Sequence, residues 1–94
     1  MIIRSQDKKL LVNFKNVASL YANSKNKIVV MYPAVSEDSL WDELGQYSTE
    51  EKAIKVLDMI QNKYENVTYE NNHGDQNCGE YASFQMPQDN EVTV

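Results

Sequence analysis

The sequence predicts an α+β domain: an antiparallel β-meander of about four or five strands, one amphipathic helix packed on it, and one further C-terminal strand. Three observations predict it. Leu10, Val12 and Phe14 recur at every second position, Lys27–Tyr32 is an apolar run of strand length, and residues 49–65 repeat apolar side chains at helical spacing. A chain of 94 residues has room for one such core and not for a second. The predicted boundaries are a single domain over 1–87 and a frayed acidic tail over 88–94.

Taken in order, Met1–Ser5 is a short strand closed by a polar turn at Gln6-Asp7-Lys8-Lys9. Leu10, Val12 and Phe14 then alternate with Leu11, Asn13 and Lys15, which turns one apolar face toward a core. After a break at Lys15-Asn16, β character resumes from Val17 to Ala22. Asn23-Ser24-Lys25-Asn26 is a cluster of turn formers, so the runs on either side read as a hairpin. The unbroken apolar run of Lys27–Tyr32 predicts a central strand buried on both faces. Pro33 ends it, because proline has no N–H to give to a ladder. Val35–Ser39 reads as a loop, and the looser alternation from Leu40 to Leu44 as another strand. Gly45 marks a bulge or turn before the helix.

Ser48-Thr49-Glu50-Glu51 fits a capping box, with Ser48 as the N-cap and Glu51 reaching back to the Ser48 amide. Glu50 and Glu51 also lie where the helix dipole favours negative charge. Ala53, Val56, Leu57, Ile60 and Tyr64 form one apolar stripe, and the helix is predicted over 49–65. Beyond it, Val67–Glu70 reads as a short strand and Asn71–Gly79 as a long polar loop. Tyr81–Met86 reads as the last strand, stopped by Pro87.

The net charge of −5 is unevenly spread. Residues 1–36 carry Arg4, Lys8, Lys9, Lys15, Lys25 and Lys27 against one acid, Asp7. Residues 64–94 carry acids and no Lys or Arg. Nucleic acid should repel such a chain, so no direct nucleic-acid partner is expected. Met1-Ile2-Ile3-Arg4 lacks the pattern of a secretory signal, and no apolar run approaches a membrane span. The lone Cys78 cannot form an internal disulfide, which fits a reducing compartment. These features predict a cytoplasmic location and no membrane partner, and they make the sequon Asn66-Val67-Thr68 a chance match.

No cofactor is implied, since Gly45, Gly74 and Gly79 are isolated and build no phosphate loop. His73 and Cys78, the only residues of their types, share one polar loop and are weak candidates for a metal site or a reactive thiolate. Their spacing matches no standard zinc pattern, and a catalytic pair needs an orienting third group. Asp75, Asn77 and Gly79 alternate as in a calcium loop, yet Glu80 and Met86 stand where that loop needs Gly and Glu. The adjacent carboxylates Glu37-Asp38 and Asp42-Glu43 read as solvated surface. A catalytic role is therefore not expected.

Six tyrosines and one tryptophan are the remaining signal. Their default use is to rim the core with the hydroxyls at the water edge. Clustered on a surface they would bind protein, because these residues dominate interface energetics. The expected interaction surface is Trp41, Tyr47, Tyr69 and Tyr81 with the acids Glu70, Asp75 and Glu80. The favoured reading is a non-enzymatic module that binds another protein. Two alternatives stand beside it: an acidic nucleic-acid mimic that inhibits a basic nucleic-acid-binding protein, and a small enzyme or metal protein built on the His73/Cys78 loop. A homodimer through a sheet edge, Met1–Ser5 or Tyr81–Met86, is a further expectation.

Three segments carry a resemblance: Ile3-Arg4-Ser5-Gln6-Asp7 with Leu11-Val12-Asn13, Leu44-Gly45-Gln46-Tyr47-Ser48-Thr49-Glu50-Glu51, and Met86-Pro87. In these blocks the chain resembles a set of small uncharacterised proteins of Gram-positive bacteria and their prophages. The resemblance covers about half the chain in scattered blocks, of which the one at 44–51 is the most specific. The resemblance implies an α+β sheet-and-helix domain and brings no activity, ligand or catalytic residue with it. Against that pattern, residues 66–80 form a longer connection, where an individual function is expected to lie.

Overall fold

The computed structural model describes residues 1–33, 40–72 and 82–94, with the backbone alone at 67–72. Six strands and one long helix follow in order: Ile2–Arg4 (β1), Leu11–Asn13 (β2), Ser19–Ala22 (β3), Lys27–Met31 (β4), Trp41–Gln46 (β5), Glu50–Asn72 (α1) and Ser83–Gln85 (β6). Short 3-10 helices at Phe14–Asn16 and Asp89–Glu91 complete the description. The α+β class is the one predicted. The strands, however, divide into two three-stranded sheets, β2-β1-β6 and β3-β4-β5.

Both sheets feed one core. In the first, Ile3 lies in register between Val12 and Phe84, so one apolar row crosses all three strands. In the second, Ile28 pairs with Ala22 and Val30 with Leu20, and these side chains cluster with Ala53, Val56 and Ile60 of α1. β4 is the central strand expected from its apolar run, with Ile28, Val29 and Val30 all buried. The hairpin before it also forms as read. The Asn23 carboxamide oxygen accepts from the Lys25 and Lys27 amides at 2.9 and 3.1 Å, and Asn26 takes the left-handed conformation (φ 61°) that asparagine tolerates. No helix among the described residues is long and apolar enough to cross a membrane.

Several expectations are corrected. β6 pairs with β1 in parallel, with Ile3 opposite Phe84, and β1 is flanked on both sides. The Met1–Ser5 segment is therefore not a free edge for a second copy. The helix cap lies one residue later than read: Thr49 Oγ1 accepts from the Lys52 amide at 3.1 Å. Ser48 is drawn elsewhere, its own amide donating to Asp89 Oδ1 at 2.8 Å. The helix also runs past 65 through the segment 67–70 read as a strand. No Gly or Pro lies between 66 and 72 to stop it, and Val67 and Thr68 cost a helix only a few tenths of a kcal/mol each, to order of magnitude. Residues 88–92, expected to fray, are docked: Val92 is only 5% exposed and Asp89 is bonded to Ser48 and Lys52.

The two sheets are joined at Gln6, just after β1. Its amide donates to the Leu44 carbonyl at 2.7 Å. Its carboxamide then behaves as a further peptide unit: Oε1 accepts from the Gln46 amide at 2.9 Å, while Nε2 donates to the Gln46 carbonyl at 3.1 Å. This contact covers part of the β5 edge. β5 carries the irregularity expected near Gly45, since Ile28 faces Gly45 while Val29 faces Glu43, leaving Leu44 as the extra residue. A Cβ at Gly45 would lie 3.2 Å from Gln6 Cβ and 3.3 Å from the Tyr47 hydroxyl, so the close approach itself calls for glycine. The Tyr47 hydroxyl and Gln6 Nε2 both donate to the Pro87 carbonyl, at 2.8 and 3.2 Å. Segments 3–7, 44–51 and 86–87, distant in sequence, thus meet at one joint.

Candidate interaction surface

The side of β3-β4-β5 turned away from α1 is built by strand alternation. Leu20, Ala22, Ile28 and Val30 point into the core, so their neighbours Ser19, Tyr21, Val29 and Met31 line the opposite face. On β5, Trp41 is in register with Met31 and Glu43 with Val29, which adds both to that face. Trp41 is 59% exposed and Tyr21 41% exposed, while Val29 between their strands is buried and Met31 half-buried. The preceding residue, Leu40, is 67% exposed at the same end of the strand. Lys27 Nζ lies 3.8 Å from Glu43 Oε1 at the other end, as a solvated pair of little energetic weight.

The direction of Trp41 follows from its neighbour. Asp42 turns inward and accepts from the Tyr32 hydroxyl at 2.8 Å, and successive strand residues point to opposite faces. Burial, together with that carboxylate, pushes the Tyr32 hydroxyl up to about 12, so it stays a donor across the ordinary pH range. The Tyr32 amide also donates to the Leu40 carbonyl at 3.0 Å, which fixes the strand just ahead of Trp41. The indole is held outward by the hydrogen bonding of the opposite side.

The other side chains expected at an interaction surface fare differently. Tyr47 is corrected: it is 3% exposed, belongs to the core and spends its hydroxyl on Pro87. Burial and the neighbouring Asp89 and Glu91 charges push its hydroxyl well above the usual tyrosine value. His73, Asp75, Cys78, Glu80 and Tyr81 lie outside the described residues, as do the side chains of Tyr69 and Glu70. Two of the late acids are occupied within the fold. Asp89 accepts from Ser48 and pairs with Lys52 at 3.4 Å, and Glu91 accepts from the Gln88 amide at 2.8 Å. Trp41 is exposed as the sequence led one to expect, whereas Tyr21 and Met31 were not expected beside it. The signal was their shared parity on β3 and β4, legible only with the register in hand.

A second apolar feature lies on the helix side of β3. Phe14, Val17, Leu20, Leu57, Ile60 and Tyr64 line a groove of about 470 Å³ between the first 3-10 helix, β3 and α1. The Phe14 and Tyr64 rings meet there in a tilted pair, with centroids 5.4 Å apart. No family model, curated protein or solved structure matches this chain.

Proposed function

We propose that the protein is a non-enzymatic interaction module that docks another protein on the outer face of β3-β4-β5. The observation that carries this reading is Trp41, 59% exposed, set in register beside Met31 on the face that also bears Tyr21. An aromatic residue on a strand gives up little conformational freedom when covered, and tryptophan and tyrosine are the residue types most enriched among binding hot spots. The resemblance to small bacterial and prophage proteins adds a prophage origin to the proposal. The engagement of Asp89 and Glu91 within the fold weighs against a phosphate-mimicking acidic ridge.

The test compares capture of host proteins by the wild-type chain and by Trp41→Ala, at low and high salt, after matching their unfolding midpoints. A stoichiometric partner lost on Trp41→Ala while the fold is kept supports the module. A partner held equally by both chains, or none held by either, overturns it.

A further inference from the structure

We propose that the open edge of β3 accepts an extended segment of the protein partner as a fourth strand, with alternate side chains of that segment seated in the apolar groove beneath it. The inference rests on the interaction-module reading and names what that partner presents. Asn23 donates to the Lys27 carbonyl, so the alternation of an antiparallel ladder gives Tyr21 and Ser19 the bonds to β4. The amides and carbonyls of Leu20 and Ala22 then face off the sheet, and none of the described hydrogen bonds engages them. Folded proteins usually blunt such an edge with charge, proline or a covering element. The edge of β5 has Gln6 against it, whereas β3 reads Ser-Leu-Tyr-Ala, with no charge or proline of its own and no covering strand among the described residues.

Unmet backbone groups spaced along a strand are matched by another extended backbone. Side chains of the added strand would alternate as those of β3 do. One row would extend the outer face beside Tyr21, and the other would enter the groove beside Leu20, between Phe14 and Val17 on one wall and Leu57, Ile60 and Tyr64 on the other. The helix wall sets the charge. Gln61 lines the groove and donates to Glu65 at 3.0 Å, which brings that carboxylate to the rim, and Asp58 lies one turn back on the same side of the helix. Lys15 stands by Phe14 on the opposite wall, so the row entering the groove is basic, its aliphatic stems against the apolar lining and its charged ends at the Glu65 rim. A second copy of the chain is the poorer occupant, since each copy brings a net charge of −5 and its own acidic helix.

The probe is a short peptide of alternating valine and lysine, tested against the intact chain beside two controls. One control carries N-methyl groups on alternate amides; the other has glutamate in place of lysine. The expected result is slowed hydrogen exchange at Leu20 and Ala22 with the lysine peptide, and binding at least about ten-fold weaker for each control at low salt. Equal binding of the N-methylated peptide, no binding of the lysine peptide, or protection at these amides that grows with the concentration of the chain alone would each overturn the inference. Capture of a Trp41-dependent partner that leaves Leu20 and Ala22 unprotected would sink the strand-addition inference while the module reading stands. Loss of the partner itself sinks both.

Discussion

The side-chain carboxamide of Gln6 pairs with the backbone of Gln46 through two hydrogen bonds, donating at 3.1 Å and accepting at 2.9 Å, as a neighbouring strand would. With the Gln6 amide's bond to the Leu44 carbonyl, this pair joins two sheets whose ladders pair strands only within each sheet. It accounts for how strands this short share one stable core.

Gln6→Ala removes those two bonds and a third to Pro87. With each worth roughly 1 kcal/mol net, the expected loss is about 2–3 kcal/mol, a large share of the stability of so small a domain. Gln6→Glu keeps an acceptor for the Gln46 amide but sets a carboxylate against the Gln46 and Pro87 carbonyls. It should cost at least as much near neutral pH and recover partly in mild acid. Urea denaturation of the three chains at two pH values checks both statements.

Gly45→Ala places a methyl 3.2 Å from Gln6 Cβ and 3.3 Å from the Tyr47 hydroxyl. The joint has to open to admit it, at about 1–3 kcal/mol. Because both neighbours belong to the joint, Gly45→Ala and Gln6→Ala should be non-additive, which a double-mutant cycle measures. Additivity would mean that the two sheets are held together elsewhere.

Tyr47 sets the alkaline limit. Its folded value is raised, so the stability it contributes is whole below about pH 10 and is lost as pH climbs through the folded value. Tyr32, raised to about 12, acts in the same direction. Tyr47→Phe should cost only about 0.5–1.5 kcal/mol near neutrality, because Gln6 still donates to the Pro87 carbonyl. Its stability should then fall less steeply above pH 10 than that of the wild type. Thermal melts across that range make the comparison.

Asp89 acts at the other end of the scale. The Ser48 amide, then the Ser48 side chain and Lys52, hold its carboxyl below the ordinary 3.8 despite an opposing desolvation. A depressed carboxylate contributes stability above its unfolded value, and that contribution is lost as pH falls through the folded one. Asp89→Asn keeps an acceptor for Ser48 but removes the charge facing Lys52. The acid limb of a stability profile below about pH 4 should become shallower, with Asp7, held down chiefly by Ser5, accounting for part of what remains.

The helix stripe was legible because each of its residues obeys a local period. Ile60 is fully buried, so Ile60→Ala should cost about 2–5 kcal/mol. Leu57, half-buried in the wall of the groove, should cost less. The hairpin at Asn23–Asn26 and the bulge at Gly45 were legible for the same reason, since turn chemistry and a lone glycine act over a few residues. The parallel pairing of β1 with β6 was not, because no local pattern records which distant segment supplies a neighbour. Gln6 lies in the turn as read, but its bonds to Gln46 and Pro87 went unseen and Tyr47 was read as surface for a related reason: a polar side chain gives no sign in sequence that its partner lies about 40 or 80 positions away. Val92 is one of two isolated valines in a polar tail, too little signal to announce its docking.

Trp41 is the only tryptophan in the chain, so a 5-fluorotryptophan label gives one ¹⁹F resonance reporting on the proposed surface. That resonance should be solvent-sensitive in the free protein and should shift or broaden when the captured partner is added. A resonance unchanged at saturating partner would place binding elsewhere and contradict the assignment of the outer face of β3-β4-β5 as the docking surface.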